Sequence, residues 1–115
     1  MYVRMNAALD LVSPHINGMS VLDVGCASGR FAFRMLQAGA RKIYGTDISS
    51  EAIESAKKQS SKLELHDKLD FFVADVVQPK SPLPHVDLVT ALGVIEYFNA
   101  DDMSAFLGNL QTKYI

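Results

Sequence analysis

The segment Val21-Leu22-Asp23-Val24-Gly25-Cys26-Ala27-Ser28-Gly29-Arg30-Phe31 constrains what this chain can fold into more than any other. Val21, Leu22 and Val24 form the short apolar run of a parallel strand covered on both faces. Gly25 and Gly29 carry no Cβ, so the backbone can turn sharply there and a ligand can lie close to it. Ser28 is placed to cap a following helix, in which Phe31, Ala32, Met35, Leu36 and Ala38 recur at helical spacing until Gly39 stops it. A strand, a bare turn and an exposed helix N-terminus together predict a cradle for a small molecule.

Three further landmarks follow in order. Residues 42–46 read as a second strand, and Asp47 stands at its carboxyl end, about twenty residues past the glycine turn, where doubly wound sheets place a carboxylate for ribose hydroxyls. Residues 69–74 read as a third strand ending at Asp75, and residues 86–92 as a fourth ending at Gly93. Between them, Ser49 is placed to cap a helix whose Ala52, Ile53 and Ala56 face inward, with Ile48 able to staple against Ile53. A leading helix puts Met5, Ala8, Leu9 and Val12 on one face, and a final helix starting near residues 99–102 buries Met103, Phe106, Leu107 and Leu110. Residues 78–84 hold three prolines and read as a loop. Alternating strands and helices demand a parallel α/β sheet with right-handed crossovers. The expected count is four strands, with the chain ending after the fourth helix.

A dinucleotide site wants G-x-G-x-x-G. Here the second position is Ala27 and the third is Arg30, so that fingerprint fails. What stands instead is Asp23-x-Gly25-x-Ala27-x-Gly29, which resembles motif I of the class I S-adenosylmethionine-dependent methyltransferases. Thr46-Asp47-Ile48, Ala74-Asp75-Val76 and Leu92-Gly93-Val94-Ile95-Glu96-Tyr97 are similar to the later motifs of that family, in the same order and spacing. The resemblance covers about residues 20–110 and implies a doubly wound sheet in the order 3-2-1-4, the N-terminal half of a domain that continues with three more strands.

The cofactor implied is S-adenosylmethionine, whose sulfonium cation and lack of pyrophosphate suit a carboxylate-rich pocket. By resemblance, Asp23 approaches its amino group, and the backbone of Gly25, Cys26, Ala27 and Gly29 lines the methionine and ribose. Asp47 takes the ribose hydroxyls, Ile48 packs on adenine, Asp75 accepts from the adenine amino group with Val76 beside the ring, and the main chain at Leu92 and Gly93 closes the methionine end. Ala27 stands where the family carries glycine. Glu96 and Tyr97 fall where the family often positions substrate, and equally read as the start of a helix. The activity implied is methyl transfer to a small-molecule acceptor, with no catalytic residue identified. The rival readings are a non-catalytic cofactor-binding or assembly module and an NAD-binding oxidoreductase domain.

Composition narrows the classes. The chain has 115 residues, enough for one domain, and a net charge of −2 that offers no basic excess for nucleic acid. No apolar run approaches the roughly 18 residues of a membrane span, and the start carries no signal-like block. A single cysteine cannot pair internally, which makes a reducing cytoplasm the expected compartment. Cys26 has no base placed near it and reads as small packing rather than a nucleophile, and His15, His66 and His85 lie in loop-like segments without metal-ligand spacing. Asp47, at an exposed strand end, is expected to be dispensable for folding. The fourth strand is expected to present a bare apolar edge that pairs with a second copy or with a missing C-terminal segment.

Overall fold

The structure, a computed structural model, describes residues 2–92 and 94–114, with side chains for 6–92 and 94–112. Helix α1 (Tyr2–Val12) leads into β1 (Ser20–Val24), α2 (Arg30–Gln37), β2 (Lys42–Asp47), α3 (Ser50–Lys62) and β3 (Leu69–Val73). A loop then reaches β4 (His85–Thr90), a single 3-10 turn (Ile95–Tyr97), α4 (Ala100–Asn109) and β5 (Gln111–Tyr114). The strands form one sheet in the order β3-β2-β1-β4-β5, and all four pairings are parallel. β1 lies at its centre, with Val21 opposite Ile43 on one side and Leu88 on the other.

Alternation along β1 divides the core. Val21 joins Ile43, Leu69 and Phe71 against Phe31, Ala32 and Met35 of α2 and Ile53 and Ala56 of α3. Leu22 and Val24 turn to the other face, with Val86, Val89 and Phe106 of α4. Of the residues their spacing picked out, α2 buries Phe31, Ala32 and Met35 and α3 buries Ile53 and Ala56, while Leu36, Ala38 and Ala52 are half-buried; Ser49 caps α3 by accepting from the Ala52 N–H at 3.2 Å. At the opposite end of β1, Ser20 and Asp87 clamp the two central strands. Asp87 Oδ2 accepts from the Ser20 N–H (2.9 Å) and hydroxyl (3.2 Å), while the Ser20 hydroxyl accepts from the Asp87 N–H (3.1 Å).

Several expectations are corrected. The sheet has five strands rather than four, because Gln111–Tyr114 pairs along β4 with Val86 opposite Thr112. The bare β4 edge is therefore overturned. Gln-Thr-Lys-Tyr carries no apolar run, so nothing local marks it; the strand exists because β4 offers its backbone groups, and the Gln111 side chain donates to the Leu83 carbonyl at 3.0 Å. Ser28 does not cap α2: the cap is Gly29 at φ 90°, and no side chain bonds there. Ile48 is left 74% exposed, leaving little of it to staple against buried Ile53, and Leu107 points outward while Phe106 alone of α4 is fully buried. His85 opens β4 rather than lying in a loop.

Phe106 anchors the second face of the sheet, with its ring 5.5 Å from Phe98 in an edge-to-face arrangement. Phe106→Ala is expected to cost about 3–5 kcal/mol, the range for emptying a buried aromatic site. Urea unfolding of the two proteins measures it, and a loss well under that range would show that α4 does not carry this face.

Candidate functional site

The site grows from the way β1 ends. After Val24 the chain turns at Gly25 with φ 73°, a conformation costly for any side chain, and a Cβ there would collide with the Val94 side chain. The Gly25 and Cys26 N–H groups both donate to the Thr46 carbonyl (2.8 and 3.0 Å). The Ala27 N–H donates to Asp47 Oδ2 at 2.9 Å, and the Ser49 N–H donates to Asp47 Oδ1 at 3.0 Å. Three successive amides of the turn are thus spent on the end of β2. Ala27 itself sits at φ 50°, which explains physically why glycine is the easier residue at this position.

The carboxylate of Asp47 therefore stitches the turn to β2 and the start of α3. The two hydrogen bonds weigh against the expectation that Asp47 is dispensable for folding, since the residue also ties backbone of the turn and of α3 together.

A cavity of about 370 Å³ opens at the carboxyl ends of β1, β2 and β3. Of the residues expected to bind a cofactor, Gly25, Asp47, Ile48, Asp75, Val76 and Leu92 line it. Four do not. Asp23 lies below it, 2% exposed within β1. Cys26 points its thiol into the core beside Gly45. Ala27 is exposed, with its N–H on Asp47. Gly29 is bare for packing, since a Cβ on it would meet the Phe71 ring at 2.8 Å. Gly93 lies outside the described residues. At the far side, Asp75 Oδ1 accepts from the Val77 N–H at 3.0 Å, which fixes its carboxylate at the rim.

Sequence reasoning missed several of the lining residues, Thr46, Val94 and Phe98 among them, and it left Tyr97 undecided. Tyr97 lines the cavity while standing 81% exposed; Glu96, beside it on the 3-10 turn, does not line it. It also missed Thr90, whose hydroxyl donates to Asp23 Oδ1 at 2.8 Å. The signal is the sheet register, which sets Asp23 opposite Thr90, and no local pattern carries that.

Asp23 is the electrostatic centre of the site. Its Oδ2 is buried and accepts no hydrogen bond among the described residues. Burial pushes its carboxyl from the usual 3.8 up to about 7; the Thr90 hydrogen bond pulls the other way, and the nearby Asp47 charge adds to the rise. A cationic donor brought to Oδ2 would favour the ionised form, in which that oxygen accepts. Cys26 is the reverse: burial, with the charges of Asp23 and Asp47, pushes its thiol up to about 12, so it stays protonated. No cluster of three or more metal-ligating side chains occurs among the described residues.

A family model described as "Methyltransferase domain" matches residues 21–112, most of the chain. The chain belongs to that methyltransferase family. A tRNA U34 carboxymethyltransferase of Alteromonas mediterranea is 34% identical over 90% of this chain and 32% of its own length. A ribosomal protein L11 methyltransferase of Salmonella arizonae is 34% identical over 50% of this chain and 20% of its own. The methyltransferase chain thus spans a third or less of these relatives. Among solved structures, the magnesium protoporphyrin IX methyltransferase of Synechocystis PCC 6803 superposes with a TM-score of 0.74, at 23% identity, over 91% of this chain and 48% of that one. At that identity the likeness shows the shared methyltransferase fold.

Two outcomes follow from the site's electrostatics. A carboxyl whose pKa is raised on folding stabilises the fold fully below about 3.8, and that contribution is lost as pH rises through about 7. Wild-type stability is therefore expected to fall across that window with a slope approaching roughly 1.4 kcal/mol per pH step of one, and Asp23→Asn to lose this dependence. Urea titrations across the window check it; parallel curves for the two proteins would show that Asp23 ionises normally. Cys26 is expected to resist iodoacetamide at neutral pH in the native protein and to react once urea unfolds it. Rapid labelling of the native chain would contradict the buried thiol.

Proposed function

We propose that this chain binds S-adenosylmethionine in the cavity at the strand ends, and that the protein transfers its methyl group to a small-molecule acceptor. The observation that carries the reading is the buried, unpartnered Oδ2 of Asp23 beneath the glycine turn, an acceptor suited to the ammonium group of the cofactor's methionine end. A volume of about 370 Å³ falls within the range of ligand pockets. The sequence of the turn also favours this ligand over a dinucleotide, because Ala27 and Arg30 stand where G-x-G-x-x-G wants glycine.

The roles proposed for the residues follow their positions. Asp23 and the backbone near Gly25 and Leu92 hold the methionine end. Asp47, already accepting two N–H groups, offers its remaining lone pairs to the ribose hydroxyls. Ile48 and Val76 flank the adenine, and Asp75 accepts from its amino group. Cys26, Ala27 and Gly29 contribute through the backbone and packing of the turn rather than through side chains. When bound, the sulfonium supplies an electrophilic methyl group. The protein's part is to orient it and keep water out. The 115 residues are read as one cofactor-binding domain, and transfer itself is proposed for the whole protein. A lone cysteine, buried and unpaired, suits a reducing cytoplasm.

Calorimetry with S-adenosylmethionine, S-adenosylhomocysteine and NAD tests the reading. The first two are expected to bind and NAD to stay silent; NAD binding with no response to the others would overturn it. Asp47→Ala is expected to lose at least about tenfold in cofactor affinity, roughly 1.4 kcal/mol. It is also expected to unfold more easily without ligand, because the Ala27 and Ser49 N–H groups lose their acceptor. An unchanged affinity in the folded variant would remove Asp47 from the ribose site.

A further inference from the structure

The last paired position of β1 and β4 sets Asp23 opposite Thr90. The Thr90 hydroxyl donates to Asp23 Oδ1 at 2.8 Å, and Oδ2 has no partner among the described residues. Thr90 is half-buried, between Leu88 and Leu92, which pack against the core on the α2 side of the sheet. One oxygen of Asp23 is thus held against β4 and the other is left open. This settles where a proton sits. Because Oδ1 accepts from Thr90, the neutral acid carries its proton on Oδ2, and that oxygen then faces a ligand ammonium donor to donor.

The surrounding groups give the charged form little else. Gly45, opposite Asp23 on β2, has no side chain to offer. Asp47 at the end of β2 opposes a second negative charge, and the Cys26 thiol of the turn stays protonated. On α2, Arg30 is exposed and Arg34 donates to Asn6 of α1 at 3.3 Å. Asp10 of α1 and Glu51, Glu54, Lys57, Lys58 and Lys62 of α3 are exposed to solvent. Burial raises the Asp23 carboxyl most and Asp47 adds to the rise, while the Thr90 hydroxyl favours the ionised form.

We propose that Thr90 is a positioning residue, acting through Asp23, that couples cofactor binding to the release of a proton. The proposal rests on the cavity being the cofactor site and adds a control on that site. The ligand ammonium pairs with Asp23 once the Oδ2–H bond breaks; the electron pair stays on Oδ2 and the proton leaves to solvent. Thr90 sets the pH at which this exchange is easy, because its hydrogen bond favours the ionised carboxylate.

The test uses the full chain and S-adenosylhomocysteine, which carries the same ammonium group. Calorimetry at about pH 6, in two buffers of different ionisation enthalpy, is expected to show about one proton released per ligand bound to wild type. Thr90→Val keeps the shape and removes the donor. Its affinity is expected to stay within about twofold of wild type at about pH 8.5 and to fall about tenfold below it at about pH 6, since a lost hydrogen bond to a charged group moves the titration up by about one pH unit. Taking the ratio of the two proteins cancels the titration of the ligand itself. Thr90→Ser, which keeps the hydroxyl, should follow the wild-type profile. Failure of S-adenosylhomocysteine to bind wild type at either pH would sink the cofactor reading and this proposal with it. Binding without proton release, a Thr90→Val deficit equal at both pH values, or a Thr90→Ser profile like that of Thr90→Val would overturn the coupling alone.

Discussion

The hydrogen bonds between the glycine turn and the end of β2 are the constraint on which the rest of the site depends. Thr46 receives two N–H groups through its carbonyl, and Asp47 receives a third through its side chain. These bonds hold β1 and β2 together past the last paired residues, Val24 and Thr46, and they aim the chain into α2. An amide already donated is not open to a ligand, so these three serve the shape of the turn.

Beneath that turn the fold tolerates an unfavourable group. A carboxyl inside the central strand costs desolvation, and only the Thr90 hydroxyl offsets it in part. A buried polar atom without a partner is uncommon in a well-packed chain, and such groups concentrate where a ligand completes them. The cost is local. Val21, Leu22 and Val24 around Asp23 are sealed, and the Ser20–Asp87 clamp at the other end of β1 is fully bonded. Gly25, Ala27 and Asp23 thus bring backbone and electrostatic strain together at the carboxyl end of the sheet.

Much of this was legible in the chain because it is written in short range. The run Val21, Leu22, Val24, the helical spacing in α2 and α3, the Ser49 cap and the strand-end aspartates are local patterns that physics reads one element at a time. Six expected site residues meet in one cavity because strand ends in a parallel sheet converge on one edge. The misreadings have the opposite character. β5 has no apolar signature and exists only because β4 lends it backbone partners. Gly29, at φ 90°, is also bare to receive the Phe71 ring from a strand about forty residues away. Ser28 yielded its cap because the turn closes through the Gly29 N–H on the Cys26 carbonyl.

The sequence by itself determined the alternation of strands and helices, the polarity of the sheet and the edge at which chemistry can occur. Periodicity and turn residues act within a few positions, and right-handed crossovers then leave little freedom in how the units stack. Only the tertiary structure decided that Asp47 is a structural stitch, that Asp23 has one satisfied and one open oxygen, and that Tyr97 overhangs the mouth. Each of these depends on which atoms from distant segments come within hydrogen-bonding or packing distance. That is a property of register and burial, and no residue carries it alone.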